Sequence, residues 1–343
     1  FLEKKISNYL ISKQNTEGGW PLFFGGDSNL STTVKSYFAL KLAGCDIKSD
    51  FMIKAQKCII NLGGAEKSNV FTRITLALFK QISWKTVPVM PVEIMRLSTW
   101  FPFHLKKVSY WSRTVLVPLL IIMLKKPIAN NPNDVSLNEI FCDSKSKLKS
   151  LPAGHNKSLI FILFHLVDRI LRYIEPKLSK KRKQVAIEDA YNWILKRLND
   201  EDGLGGIFPA MVNSLIALSI DEKNRFSNEI KVVKKAINKL IVEKKTQAYV
   251  QPCLSPVWDT GWVGIALLEN EQNIDKLVNW LLKKEIDTKG DWSEEKPRIK
   301  PGGWAFQYNN DFYPDVDDSA LIGILLHRYN RKKGNKDVEN CIK

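Results

Sequence analysis

The sequence predicts an all-α protein, for which three observations speak, and a repeat of helix ends adds modest support for an α/α barrel (toroid) architecture. Apolar residues recur at helical spacing through most of the chain, hardly any segment alternates with period two, and Gly, Pro and Asp/Asn turns separate the helical stretches. In chain order, such stretches run over residues 34–42, 74–82, 108–124, 185–198, 211–218, 262–268 and 277–282. Helix ends also repeat. KKISNYLISKQNTEGGW (4–20), AYNWILKRLNDEDGLGG (190–206) and KLVNWLLKKEIDTKGDW (276–292) each place an aromatic residue near mid-helix and a Gly-containing turn after it. The first and third close the turn with Trp, whereas the second has Leu198 and Leu204 at the corresponding places. Gln14 is placed to bond open backbone groups at a neighbouring helix end while Trp20 stacks across it. Stacking of such turns is how helix pairs build a toroid.

The 343 residues exceed one ordinary domain, so two helical units or one large toroid are expected. The net charge of +16 first suggests a polyanion or an anionic membrane surface. No zinc-finger spacing or RNP-like aromatic signature accompanies it, so nucleic acid is not the expected partner. Cys45, Cys58, Cys142, Cys253 and Cys341 lie far apart with no ligand spacing, which reads as a reduced, cytosol-facing chain without structural zinc. The absent initiator Met, and an end at Lys343 just beyond an apolar helix, suggest a piece of something longer.

Two apolar stretches call for a membrane test. Residues 114–124 contain Pro118 and are too short to span a bilayer. In LIFILFHLVDRILRYI (159–174), His165, Asp168, Arg169 and Arg172 form one narrow polar stripe, leaving a wide apolar arc that includes Leu159, Phe161, Ile162, Leu163, Phe164 and Leu166. The basic run Lys180, Lys181, Arg182 and Lys183 follows. A spanning helix would not carry those charges at mid-length, whereas an interfacial helix would bury the arc in lipid and set the basic run against anionic headgroups. A helix buried between two protein layers explains the same arc, and the basic run favours the membrane.

Near the end, PGGWAFQYNNDFYPDVDDSALIGILLH (301–327) places Asp315, Asp317 and Asp318 between an aromatic loop and an apolar helix. Helix capping is one reading, with Asp315 as N-cap and the other two in the first turn, where they complement the helix dipole. Acid chemistry is the other.

These residues resemble the DxDD motif of class II terpene cyclases, and four longer segments resemble the squalene-hopene cyclases in order. They are PVEIMRLSTWFPFHLKKVSYWSRTVLVPLLI (91–121), LNDEDGLGGIFPAM (198–211), SPVWDTGW (255–262) and PGGWAFQYNNDFYPDVDD (301–318). The turn repeats resemble that family's QW motifs. The resemblance covers essentially the whole chain but only the family's N-terminal part and the start of its second half. It implies two α/α barrels, one inserted in the other, with residues 1–253 forming most of the inserted barrel and 254–343 beginning the catalytic one. It also assigns the helix at 159–174 to a monotopic membrane-binding region on the cytoplasmic side, and it makes a homodimer possible.

Squalene has no leaving group or heteroatom, so its cyclisation starts by protonating a carbon–carbon double bond. That demands a neutral, desolvated acid, which crowded carboxylates provide. The resemblance makes Asp317 the donor, with Asp315 and Asp318 in support. A helix N-terminus favours the ionised form, so burial and like-charge repulsion have to outweigh it. The histidine that polarises the acid in the family lies beyond this chain, and His327, more than two turns away, does not replace it. Carbocations are stabilised by aromatic faces that offer no trapping lone pair. The motif match suggests Trp258 and Phe306 as cavity walls with Trp111 nearby. Ile207, Phe208 and Pro209 are suggested at the far end of the substrate, and Gln307 as a group that places water. No cofactor or metal is implied.

Oxidosqualene cyclases carry Cys and Thr after the Asp of their acid motif, which DVDD does not. Diterpene class II cyclases share DxDD but no long context here. An α/α-barrel carbohydrate enzyme would set its acids on separate loops across an open cleft. A lipid-binding toroid would use DVDD only as a cap. The 343-residue chain alone is expected to be inactive.

Overall fold

The computed structural model describes residues 1–102, 104–143, 159–294 and 297–342, without the side chains of 159–161, 294 and 342. In chain order the helices are α1 (Leu2–Ser12), α2 (Leu30–Leu42), α3 (Asp50–Asn61), α4 (Val70–Leu78), α5 (Tyr110–Lys125), α6 (Leu159–Ile174) and α7 (Lys180–Arg197). They continue with α8 (Phe208–Ser219), α9 (Ser227–Lys239), α10 (Pro256–Glu269), α11 (Asp275–Leu282), α12 (Val316–Lys333) and α13 (Lys336–Ile342). The chain is all-α in class, in accord with the α/α barrel terpene cyclase fold.

One hairpin was not expected. β1 (Ile241–Glu243) pairs antiparallel with β2 (Ala248–Val250), with Val242 opposite Tyr249. Each strand has three residues, too few for a period-two pattern to stand out, and the Lys244 N–H closes the turn on the Gln247 carbonyl at 2.8 Å.

The chain divides into two compact units. The first comprises Phe1–Ile94, Leu120–Ala186 and Ile241–Val250, and the second Met95–Leu119, Ile187–Leu240 and Gln251–Lys343. In the first, Val34, Leu40, Met52, Ile59 and Leu76 are fully or almost fully buried. Asn29 caps α2 by accepting from the Ser31 and Thr32 N–H groups. Gln14 donates to the Gly18 and Phe51 carbonyls, both at 2.8 Å, and the Trp20 indole N–H donates to the Leu10 carbonyl at 2.9 Å. The turn is thereby tied to α1 and to the start of α3.

In the first unit α6 occupies residues 159–174, the stretch read from the sequence, and Asp168 and Arg172 of its polar stripe fasten it, while Arg169 is exposed. Asp168 is buried and accepts from the Val89 N–H at 2.8 Å, while Arg172 bonds Asp168 and donates to the Val87 carbonyl at 2.8 Å. The apolar arc faces away. Ile162, Leu163, Phe164 and Leu166 are each 54–60% exposed. The side chains of Leu159 and Phe161 lie outside those described. No helix among the described residues is long and apolar enough to cross a membrane.

In the second unit α10 packs on α12. Val257, Leu268, Ile322, Leu325 and Leu326 form the core with Val278 and Leu281 of α11 and Trp304. The contact is close enough that a Cβ on Gly264 would fall 2.5 Å from a Leu325 methyl. The acidic residues stand in the first turn of α12, ahead of this core.

Candidate active site

The site lies within the second unit and is built from five segments, one of them the start of α5 that carries Trp111. The acid segment closes on itself first. The Asp315 N–H donates to the Trp304 carbonyl at 2.8 Å, and the Trp304 N–H donates to the Ser319 hydroxyl at 2.9 Å, so α12 starts at a fixed place. Asp315 is the N-cap, its Oδ1 accepting from the Asp317 N–H at 2.9 Å. Its Oδ2 accepts from the Trp111 indole N–H at 3.1 Å.

The second and third segments are the loop before α8 and the loop before α12. The Asn199 side chain donates to the Asn309 carbonyl at 3.0 Å, and the buried Asp202 carboxylate accepts from the Asn309 N–H at 2.9 Å. Burial pushes the Asp202 carboxyl above the usual carboxylate range. The Leu254 N–H donates to the Gly206 carbonyl and the Phe208 N–H to the Pro252 carbonyl, which bridges Ile207 to Cys253. The fourth segment is the start of α10, which carries Trp258.

Together they line an open cavity of about 410 Å³ walled by Trp111, Ile207, Trp258, Phe306, Asp315, Asp317 and Asp318. Trp111 and Phe306 meet edge to face at 5.2 Å between ring centroids, and Trp258 meets Trp262 in the same manner at 5.9 Å. Seven of the residues proposed from sequence therefore converge. Gln307 does not line the cavity; it is buried against Gly206, and its Oε1 has no partner among the described residues. Phe208 and Pro209 open α8 outside the wall.

The three acids differ in environment. Asp317 is exposed at the cavity, whereas Asp318 is 1% exposed, with an Oδ1 that meets no partner among the described residues. Burial, then the charges of Asp315 and Asp317, push the Asp318 carboxyl up to about 7. Sequence reading had not separated Asp318 from its neighbours. The signal was present: Asp318 shares the face of α12 that buries Leu321, Ile322, Leu325 and Tyr329.

On the basic run, Lys180, Lys181 and Arg182 are exposed, while Lys183 pairs with Glu175 at 2.6 Å. Sequence reading also missed a buried ion cluster in the second unit, Arg113, Asp291 and Arg197, whose members are far apart in the chain.

A helix cap that presents clustered acids to an aromatic cavity is the arrangement that the resemblance to class II terpene cyclases implies. Comparison with known proteins narrows the class: the N-terminal domain model of squalene-hopene cyclases matches residues 2–246 and the C-terminal domain model residues 254–343. The chain belongs to the squalene-hopene cyclase family. It is 43% identical to a squalene–hopene cyclase of Bradyrhizobium diazoefficiens over 99% of this chain and 53% of that protein. It is 44% identical to a probable squalene–hopene cyclase of Sinorhizobium fredii over 99% of this chain and 54% of the relative. A dammaradiene synthase of Dryopteris crassirhizoma is 34% identical over 98% of this chain and 49% of its own length. The chain thus spans about half the length of these relatives.

Proposed function

We propose that the chain carries the proton-donating part of an enzyme that cyclises squalene to hopene and hopanol, as in hopanoid biosynthesis. The observation that carries this reading is the placing of three carboxylates, one of them buried, on the wall of an aromatic, apolar cavity. Two relatives that bear the squalene–hopene cyclase name support it.

Asp317, open to the cavity, is the proposed donor. Beside it, burial and the neighbouring carboxylates push the Asp318 carboxyl up to about 7, which favours its neutral form next to the donor. Asp315 is held by its two hydrogen bonds and fixes the geometry. The proton adds to the less substituted carbon of a terminal double bond. The π electrons form the new C–H bond and leave a tertiary cation, which successive double bonds attack to close rings. Trp111, Trp258 and Phe306 stabilise cationic centres without trapping them. Loss of a proton gives hopene, and capture of water gives hopanol. Hopene formation is an isomerisation, one proton entering and one leaving, and it calls for no cofactor.

We also propose that α6 seats the protein on a bilayer surface as a monotopic anchor on the cytoplasmic side. The outward apolar arc, with Lys180, Lys181 and Arg182 exposed beyond it, supports this.

The test of the activity is incubation of the complete gene product with squalene in detergent and heavy water, with products separated by gas chromatography and weighed. Pentacyclic product carrying one deuterium at a ring carbon is expected. A folded, inactive protein would overturn the reading, and a different polycycle, or turnover of another polyprene only, would move it to another class II cyclase.

A further inference from the structure

Arg113, Asp291 and Arg197 form a buried ion cluster. Arg113 Nη1 lies 3.2 Å from Asp291 Oδ2, and Arg197 Nη2 bonds Asp291 Oδ1. Two guanidinium groups share one carboxylate, so a net positive charge is held out of water. Well-packed apolar residues commonly replace such clusters at no loss of stability, so stability alone gives no account of this one.

Its surroundings do. The Arg113 guanidinium lies 5.9 Å from the Tyr110 ring centre and 5.8 Å from that of Tyr313, and these two rings stack on each other at 5.1 Å. The Arg197 guanidinium lies 4.9 Å from the Phe312 ring and 4.1 Å from the Trp193 ring. The Asp291 N–H donates to the Phe312 carbonyl at 3.0 Å. A Cβ on Gly290 would stand 2.3 Å from that carbonyl oxygen, so glycine is what admits the approach. What the cluster grips adjoins the acids and their partner: Tyr110 precedes Trp111, and only Pro314 separates Tyr313 from Asp315.

We propose that the Arg113–Asp291–Arg197 cluster is a positioning device for the acid segment: it clamps Phe312 and Tyr313, and so sets where Asp315–Asp318 stand against Trp111. None of the three lines the cavity, so they act through the residues they hold. A guanidinium can stack on a ring while pairing along its edge, and an ammonium cannot do both. Arg113→Lys therefore keeps the charge that Asp291 requires and loses the clamp.

The test compares the complete gene product with its Arg113→Lys and Val278→Ala variants, the second weakening the core of the same unit away from the cluster. Two readouts are taken: infrared titration of the buried carboxyl, and turnover of squalene with kcat and KM separated. The turnover readout rests on the cyclase reading, and the titration does not. For Arg113→Lys, kcat is expected to fall about tenfold or more with KM within about twofold of the parent. The carboxyl midpoint is expected to move from about 7 toward 3.8 as water reaches Asp318. Val278→Ala is expected to melt earlier with both readouts unchanged. Parent-like titration in Arg113→Lys, or the same displacement in Val278→Ala, would overturn the proposal. If Arg113→Lys does not fold, Tyr313→Leu replaces it, because it leaves the ion cluster whole and removes the clamped ring. A parent that gives no cyclic product removes the functional reading, and the titration alone then decides the clamp.

Discussion

Trp111 donates its indole N–H to the carboxylate of Asp315, 3.1 Å away and 204 positions later in the chain. The bond ties a helix in the middle of the sequence to the cap of α12, and it occupies the one Asp315 oxygen that the cap leaves over. Asp315 is thereby fixed as an acceptor through both oxygens. Its position, in turn, helps decide how costly it is to ionise Asp318.

Trp111→Phe keeps the ring that meets Phe306 and removes the donor. A hydrogen bond to a charged group contributes roughly 1.5–3 kcal/mol, so the variant should lose stability on that scale in a denaturant melt. A melt identical to the parent would show that the cap holds without Trp111.

Asp318 sets a pH dependence of known sign. Its folded pKa of about 7 lies above the ordinary 3.8, so between those values the native state binds more protons than the unfolded one. The contribution of Asp318 is fully present at acid pH, falls as the pH rises from 3.8 toward about 7, and is level above that. Asp318→Asn should flatten this fall in melting temperature across that range and be more stable than the parent at pH about 8. An unchanged slope would mean that Asp318 ionises at its ordinary value.

Asp291→Asn should cost about 3–5 kcal/mol, because it leaves two buried guanidinium groups without their counter-charge. Chemical denaturation measures this directly, and a loss below about 1 kcal/mol would mean that water reaches the cluster.

How far the sequence could be read depended on the range of the interaction. The helical class, the bounds of α6 and the N-cap role of Asp315 were legible, since each rests on residues within a few turns. The amphipathy of α6 was legible too, but not which side meets protein. That depends on Val87 and Val89 offering backbone groups to Asp168 and Arg172 from a distant segment. The convergence of Trp111, Ile207, Trp258 and Phe306 on the acids was available through family resemblance, not through spacing. The pairing of Arg113 and Arg197 with Asp291 spans 178 and 94 positions and leaves no local pattern. Asp318 was named as a supporting acid but its burial was not drawn out, although its place on the buried face of α12 is written in the helical period.

The outward arc of α6 gives a membrane prediction. Each buried large apolar side chain contributes about 1.5–3 kcal/mol, so Leu163→Ser together with Phe164→Ser should weaken binding to phospholipid vesicles by one to two orders of magnitude or more. Flotation with vesicles checks this. Binding equal to the parent would move the contact elsewhere.

The central claim is that the acids of α12 deliver the initiating proton, and Asp317→Asn in the complete gene product tests it most directly. The variant keeps the size of the side chain and removes the donor. Positioned general acids contribute roughly 10²- to 10⁴-fold, so squalene turnover should fall by at least that much while the melting curve stays parent-like. Cyclic product formed at the parent rate by the folded variant would contradict the claim and return the acid cluster to capping alone.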